Sequence, residues 1–521
     1  MRSRTVGPLA LLSALLVIWE YSVRLRPDSI IPSVSSVCKA FIDLSIGDLA
    51  RDMAASIGRV LAGFVMGIFV GCTVGAFMAL YHPAKYTLSP LIELLRPLPP
   101  IAWIPITVAI LGIGNVSTVF VIFIGAVFPV LTNTLLGIRE IDKTYLDVAR
   151  VMGASPLVIT RHVIVPAALP SIFAGLRTSL GFAWMCVVAA EMFAARTGLG
   201  YQIQLNRQVF RLDRVVVFMI VVGLLGYLLT RLMQFVESRA VPWKYRDANA
   251  QSNSDTTNVS VSVEAPNRTV DKKATGLKVS INKVCFSFAS GQSLLTDFGL
   301  TIEPGQICAI VGPSGVGKTT LLRLLAGLTC PSSGVILIDE RPPSTVRKDI
   351  AMVFQHYSVL PWKTVMDNLR FSYICRDEIP DDARIQELLT VIQLKDLAFR
   401  YPSELSGGQR QRIALVLSIL SDPGLLLLDE PFSALDSETR EQLQQLARDW
   451  IKKNGATAIV VTHDIYEAAY MADTFLVLRK NGIEPFQCAN RLPVARASSI
   501  RHTHEFAVMT NILKQAKSSI A

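Results

Sequence analysis

The apolar residues of this chain are unevenly distributed, and that division constrains its fold more than any other feature. Before about residue 240 they form six stretches, near 6–23, 57–81, 97–114, 117–138, 169–192 and 215–236. Each approaches the roughly 20 mostly apolar residues that a bilayer-spanning helix requires. Behind them the balance of charged and apolar residues is that of an ordinary globular protein. The chain has 521 residues, 51% of them hydrophobic, with a positive mean hydropathy of +0.42. That length leaves room for two or three domains. The division predicts an all-α polytopic membrane domain of six transmembrane helices over residues 1–246, followed by a separate globular domain.

Within the membrane half the third stretch is interrupted by Pro97, Pro99, Pro100 and Pro105. Proline at that density predicts a broken helix, tolerated where neighbouring groups satisfy the freed backbone. Gly63, Gly67, Gly71 and Gly75 recur at four-residue spacing in the second stretch. This spacing places them on one face, where another helix can approach closely. The N-terminal Met1-Arg2-Ser3-Arg4 and the apolar run to Ile18 have the outline of a secretory signal, but Glu20-Tyr21-Ser22-Val23-Arg24 stands where small cleavage-site residues belong. An uncleaved first membrane helix is expected. Arg177, inside the fifth stretch, and Glu191, near its end, are ionisable residues at membrane depth. They are therefore candidates for the transport path or for an ion pair at a helix end.

A formal net charge of +10 could indicate nucleic acid, but no basic stripe interleaved with aromatics occurs. Basic residues flanking apolar spans meet anionic headgroups instead, so a lipid partner and no nucleic acid are expected. The eight cysteines, Cys38, Cys72, Cys186, Cys285, Cys308, Cys330, Cys375 and Cys488, show no paired C-x-x-C spacing. Free thiols in a reducing compartment are expected for the globular half.

Residues 247–276 are rich in Ser, Asn, Thr and Asp and lack apolar periodicity, which predicts a flexible linker. The sequons at Asn258 and Asn267 are chance matches on that reading. From Lys278 onward short apolar runs alternate with helical segments, the pattern of an α/β nucleotide-binding fold. Ile307–Val311 reads as a buried strand. It leads into Gly312-Pro313-Ser314-Gly315-Val316-Gly317-Lys318-Thr319-Thr320 and then a helix. Strand, glycine-rich loop and helix in this order form a phosphate cradle for ATP. Its glycines let backbone N–H groups converge on phosphate oxygens, and the helix start adds partial positive charge. Lys318 is placed for the β- and γ-phosphates and Thr319 for Mg2+. A second buried strand, Leu425–Leu428, ends in Asp429 and Glu430. Asp429 is the expected Mg2+ ligand, and Glu430 the residue that polarises the attacking water.

This half resembles the ABC ATPase family over about residues 277–480, with an α/β P-loop core and a helical subdomain. Leu405-Ser406-Gly407-Gly408-Gln409 is similar to the family signature, which implies that Ser406, Gly407, Gly408 and Gln409 address the ATP held by a second subunit. The resemblance makes Gln355 the residue that senses metal and nucleophile, and His463 the switch histidine on the γ-phosphate. It places Asp436 in the loop that crosses the dimer interface. Phe288 corresponds to the aromatic stacked on adenine, with Phe286 as a rival. Residues 481–521 form a C-terminal tail without a recognisable signal.

The membrane half resembles ABC importer permeases. Asp147-Val148-Ala149, then Gly153, then Val163-Ile164-Val165-Pro166 is similar to their cytoplasmic coupling loop. Asp147 and Val148 depart from its Glu-Ala, while Ala149, Gly153 and Pro166 match. Pro97–Pro105, Gly112-Ile113-Gly114, Gly153-Ala154-Ser155, Pro166–Pro170 and Ala189-Ala190-Glu191 are similar to the nitrate, sulfonate, taurine and thiamine-precursor branch. The resemblance implies ATP-driven import by a homodimer in the cytoplasmic (inner) membrane, supplied by a separate extracytoplasmic binding protein. An even number of spans puts both termini with the ATPase in the cytosol. Arg2, Arg4, Arg239, Lys244 and Arg246 then lie inside, whereas Arg196, Arg207, Arg211 and Arg214 lie outside, against the positive-inside rule.

Two other layouts fit parts of the sequence. An exporter half-transporter also has six spans and an ATPase, but it extends long helices into the cytosol, and only about fifteen residues separate spans two and three, about four helical turns. A sensor that moves nothing would not need Glu430 and His463. The transported solute is not encoded in any recognisable residue set.

Overall fold

The computed structural model describes residues 3–25, 30–244, 276–287, 293–313, 315–355, 359–433, 435–478, 486–490, 492–493, 500–501 and 503–518. The linker over 247–275, its two sequons, Phe288, Ser314 and Ala434 lie outside the described residues. The chain divides into two compact units, one comprising residues 1–141 and 167–242, the other 142–166 and 243–521.

The first unit is all helical. Its elements are α1 (Ser3–Arg24), α2 (Val34–Ile42), α3 (Ile46–Leu80), α4 (His82–Leu95), α5 (Ile104–Leu111), α6 (Asn115–Arg139), α9 (Val165–Ala194), α10 (Leu199–Gln208) and α11 (Leu212–Ala240). Among the described residues four helices are long and apolar enough to cross a membrane: Ile46–Leu80, Asn115–Arg139, Pro156–Ala194 and Leu212–Ala240. The pair His82–Leu95 and Pro100–Leu111, bent by 87°, would make a fifth. The six spans expected, with the third broken by its prolines, are therefore corrected in number to four or five by length and composition among the described residues. The stretch near 97–114 is no continuous helix, because Pro99 and Pro100 remove consecutive N–H donors and the chain turns there. α1 forms a helix of 22 residues but falls outside the set of four or five.

The glycine stripe of α3 packs on α6. A Cβ added at Gly63 would sit 2.6 Å from Ile122 Cγ2, at Gly67 2.7 Å from Ala126 Cβ, and at Gly71 2.8 Å from Val130 Cβ. Such distances are below van der Waals contact, so only hydrogen at these positions allows the two helices their separation. α9 is tied to α6 by Ser179 Oγ donating to the Ala126 carbonyl at 2.8 Å. It is tied to α11 by Trp184 Nε1 donating to the Val222 carbonyl at 2.8 Å.

The second unit holds two sheets. Strands β1 (Val279–Ser287), β2 (Ser293–Ile302) and β4 (Ser333–Ile338) form an antiparallel sheet in the order β2-β1-β4. The larger sheet has the order β5-β6-β7-β3-β8-β9, with β3 (Ile307–Val311), β5 (Ile350–Val353), β6 (Leu425–Asp429), β7 (Thr457–Thr462), β8 (Thr474–Val477) and β9 (Phe486–Ala489). Every pair in it is parallel except β8 with β9. β3, β6 and β7 are buried along their whole length, as their unbroken apolar runs require in a sheet covered on both faces. Helices α12 (Lys318–Leu325), α13 (Val365–Arg376), α14 (Asp382–Val391), α15 (Gly407–Ile419), α16 (Ser437–Asn454), α17 (Ile465–Met471) and α18 (His504–Ser518) complete the unit. The short helices α7 (Lys143–Val151) and α8 (Pro156–Ile159) belong to it as well.

The tail beyond residue 480 contributes to this unit's core. β9 lengthens the sheet, and Phe506, Met509 and Leu513 of α18 are buried. Phe286, the rival adenine aromatic, is a buried core residue of β1.

Candidate functional site

The parallel strands β3, β6 and β7 deliver three loops to one edge of the sheet. Val311 at the end of β3 pairs in register with Thr462, and Asp429 at the end of β6 with Val461. The phosphate loop, the Asp429-Glu430 step and His463 consequently emerge side by side, at the carboxyl edge where α/β sheets bind ligands.

In the phosphate loop Gly315 and Gly317 have φ of +80° and +100°. Those left-handed values let successive N–H groups face one concavity, and side-chain-bearing residues adopt them only with strain. A Cβ added at Gly315 would meet nothing within 4 Å, so the loop is open at that point. Lys318 begins α12, is buried, and donates from Nζ to the Gly312 and Pro313 carbonyls at 2.9 Å each. This holds its ammonium over the loop. Val316 is buried, whereas Thr319 and Gly315 are exposed and Thr320 is half-buried. The donor set of backbone N–H groups, one ammonium, a hydroxyl and the nearby carboxylate of Asp429 fits a magnesium nucleotide.

Glu430 gathers the residues expected to carry the chemistry. Its Oε1 lies 3.2 Å from His463 Nδ1, and its Oε2 accepts from Gln355 Nε2 at 3.2 Å. Glu430 has φ +46°, a left-handed value, and its N–H donates to the Val461 carbonyl of β7 at 2.9 Å. Backbone strain of this kind at an acid next to the phosphate loop accords with a functional position. Asp429, at the end of β6, is 1% exposed. Glu467, which sequence reasoning passed over, lies one helical turn past His463 and is 5% exposed. Burial, reinforced by the charge of Asp464, pushes its carboxyl up to about 8.

The signature segment sits on a different element. Ser406 caps α15, accepting from the Gln409 N–H at 3.2 Å, while Gln409 Oε1 accepts from the Ser406 N–H at 2.9 Å. This reciprocal box fixes the helix start, with Ser406 exposed and Gly407 and Gly408 half-buried. Asp436 caps α16 by accepting from the Thr439 N–H at 3.0 Å, which holds its carboxyl below the usual range. The tail bridges the two helices that follow these loops. Arg501 donates to Gln444 of α16 at 2.7 Å and stacks 4.2 Å from the Tyr470 ring centroid of α17.

Segment 142–166 folds into the ATPase unit. Asp147, 3% exposed, accepts from Arg323 Nη2 of α12 at 2.6 Å, and Arg150 lies 3.3 Å away. Ala149 is fully buried beside Val163, Leu360 and Phe371. Gly153 has φ +83°, and a Cβ there would lie 3.1 Å from Lys348 Cγ. Trp362 Nε1 donates to the His162 carbonyl at 2.9 Å, and its ring packs edge-on against Tyr145 at 5.3 Å. Pro166 is the second residue of α9 and is half-buried. Arg323 escaped sequence reasoning; its position five residues after Lys318, one turn and a half along α12, was the available signal.

In the membrane unit Arg177 lies 3.4 Å from Glu237. Glu191 is fully buried, bound by Arg59 Nη1 at 2.5 Å and by Ser56 Oγ at 2.9 Å. Arg59 lies at the polar edge of its apolar stretch and Asp52 lies before that stretch, and both were missed.

Comparison with known proteins agrees with this geometry. Residues 63–241 match the binding-protein-dependent transport system inner membrane component family, and residues 295–433 match the ABC transporter family. An ABC transporter permease protein of Methanocaldococcus jannaschii is 39% identical over 235 residues, covering 44% of this chain and 88% of that one. The aliphatic sulfonates import ATP-binding protein of Cupriavidus pinatubonensis is 43% identical over 193 residues, 37% of this chain and 63% of that one. The sulfate/thiosulfate import ATP-binding protein of Agrobacterium fabrum is 39% identical over 214 residues, 40% of this chain and 62% of that one. The chain thus spans slightly less than two thirds of these two ATP-binding relatives. A dimeric ATP-binding cassette solved with ADP and phosphate is 30% identical with a TM-score of 0.39, covering 41% of this chain and all of that one. The fold and site define a membrane protein with an ATP-hydrolysing domain. The chain belongs to the ABC transporter family, as a binding-protein-dependent type of permease fused to its own ABC ATPase.

Proposed function

We propose that the chain is one half of an ATP-driven importer that carries a small anion of sulfonate, sulfate or nitrate type, or a thiamine-precursor-like compound, into the cell. Two copies pair, and a separate extracytoplasmic binding protein delivers the solute. Both termini and the ATPase face the cytosol of a cell bounded by this membrane. The observation that carries the reading is the 2.6 Å contact of Asp147 with Arg323. It joins the segment between α6 and α9 to the helix that opens at the phosphate loop. The named import functions of the two ATP-binding relatives support the direction and the anionic solute.

In this mechanism the N–H groups of the loop Gly312–Thr320 and the ammonium of Lys318 hold the phosphates of ATP. Mg2+ held by Thr319, Asp429 and Gln355 would neutralise phosphate charge. Glu430 accepts a proton from the attacking water, with Gln355 and His463 at its two oxygens to hold its orientation. His463 turns toward the γ-phosphate when the helix start at Ser406–Gln409 of a second copy closes over it. Phe288 contributes the adenine contact. Closing displaces α12, and Arg323 carries that displacement to Asp147 and so to Ala149, Gly153 and Pro166.

The test is the ATPase rate of the purified chain in lipid, with and without the binding protein encoded beside its gene. Stimulation by the solute-loaded binding protein is the expected result. Activity indifferent to every binding protein but raised by membrane amphiphiles would replace import with export.

A further inference from the structure

The helix α17 is too short to place itself. It has seven residues, and isolated helices of that length are marginal in water, so packing decides where it sits. His463 stands just ahead of it, in a segment closed by its own hydrogen bonds. The Asp464 N–H donates to Thr462 Oγ1 at 3.0 Å. The Asp464 carboxylate accepts from the Tyr466 N–H at 2.8 Å and the Glu467 N–H at 3.4 Å. A turn capped in this way moves as one piece, so whatever holds Tyr466 also holds His463.

The tail holds α17 at two points one turn apart. Tyr466 and Tyr470 are spaced i, i+4 and lie on one face of the helix. The Tyr466 ring stacks on Phe506 of α18, with centroids 6.4 Å apart and planes 27° from parallel. Lys514 Nζ donates to Tyr466 Oη at 3.0 Å and lies 5.0 Å from the ring centroid. The Arg501 guanidinium covers the Tyr470 ring. Arg501 also donates to Gln444 and pairs with Glu441 at 3.3 Å, both on α16, the helix capped by Asp436. Tyr470, Gln444, Phe506, Met509 and Leu513 are all buried, so the tail is anchored in the core at these points.

These contacts join the helix behind Asp436 to the helix behind His463. We propose that the tail residues Arg501, Phe506 and Lys514 position His463 for the γ-phosphate, acting through Tyr466 and Tyr470 and braced against α16. Movement of the Asp436 loop at the interface of two copies then reaches His463 through this brace. The inference rests on the role given to His463 above. A misaligned His463 slows turnover more than it weakens binding, because the phosphate loop holds ATP either way. Displacing a reacting group by about 1 Å costs up to about 10²-fold in rate.

The experiment uses the full chain in lipid nanodiscs and reads kcat and KM for ATP, with the melting temperature of the ATPase transition beside them. Tyr466→Ala and Arg501→Gln are made in the wild-type chain and again in His463→Ala. In the wild-type chain each is expected to lower kcat about tenfold with KM within about twofold. In His463→Ala neither should lower kcat by more than about a further twofold, because the group they align is gone. Tyr466→Phe keeps the stacked ring and is expected to retain most of the wild-type kcat. Equal losses in the two backgrounds would overturn the proposal and leave the tail a stabilising element only. So would a kcat that neither variant alters. Arg501 is at the edge of the core, so Arg501→Gln decides the matter if Tyr466→Ala does not fold. A His463→Ala chain as active as wild type would instead remove the role given to His463, and the brace with it.

Discussion

Asp147 and Arg323 meet at 2.6 Å, with the carboxylate buried and the guanidinium one-third exposed. The pair connects a loop between two membrane-length helices with the helix that starts at Lys318. On the proposed mechanism this connection transmits motion only while both partners are present. Asp147→Asn and Arg323→Gln are each expected to leave basal ATP hydrolysis within about twofold while transport per ATP falls at least about tenfold. A double-mutant cycle on the stimulated rate should give a coupling energy of ~1–3 kcal/mol.

Glu430 is held between Gln355 and His463. Glu430→Gln keeps the shape and removes the basic oxygen. Phosphate release should fall roughly 10²–10⁴-fold, the range of a lost general base. Nucleotide affinity, measured by fluorescent ATP binding, should change little.

The stripe on α3 makes a prediction about stability. At Gly67 and Gly71 the nearest α6 atoms lie at 2.7 Å and 2.8 Å from an added Cβ, whereas at Gly58 nothing lies within 4 Å. Gly67→Val or Gly71→Val should destabilise the membrane unit by ~1–3 kcal/mol through overpacking. Gly58→Ala should be neutral or slightly stabilising, as replacing glycine inside a helix usually is. Thermal unfolding in detergent distinguishes the three.

Burial raises the Glu467 carboxyl to about 8, from an ordinary value of 4.5. Between those two values the unfolded chain loses this proton while the folded chain keeps it. Stability from this group is therefore fully present below about pH 4.5 and declines toward pH 8, by up to ~1.4 kcal/mol per pH unit. Glu467→Gln should flatten that decline, read as the melting temperature of the ATPase transition between pH 5 and 8.5.

Much of this was legible from residues alone, because it depends on local chemistry. The phosphate loop needs Gly315 and Gly317 for its left-handed turns, and the four-residue spacing of Gly63 to Gly75 defines a helix face. Asp429 and Glu430 follow an unbroken run of leucines that only a buried strand explains. What was not legible depends on contacts between distant segments. Arg323 pairs with a residue 176 positions earlier, and Glu191 with Arg59 132 positions earlier. No periodicity in either segment encodes such partners. The break at Pro97–Pro100 was visible as a weakness in a span, but the bend of 87° was not, since proline density fixes where a helix ends and not where the next one points. The tail had no motif to read because its role is packing, by Phe506, Met509 and Leu513.

The most direct measurement is solute movement into proteoliposomes that hold ATP inside and the loaded binding protein outside. Labelled sulfonate, sulfate, nitrate and a thiamine-precursor pyrimidine would be tested in turn. Import predicts ATP-dependent accumulation of at least one of them. Accumulation should require the binding protein and disappear in Glu430→Gln. ATP-driven outward movement of a membrane-soluble amphiphile, with no accumulation under any binding protein, would contradict it.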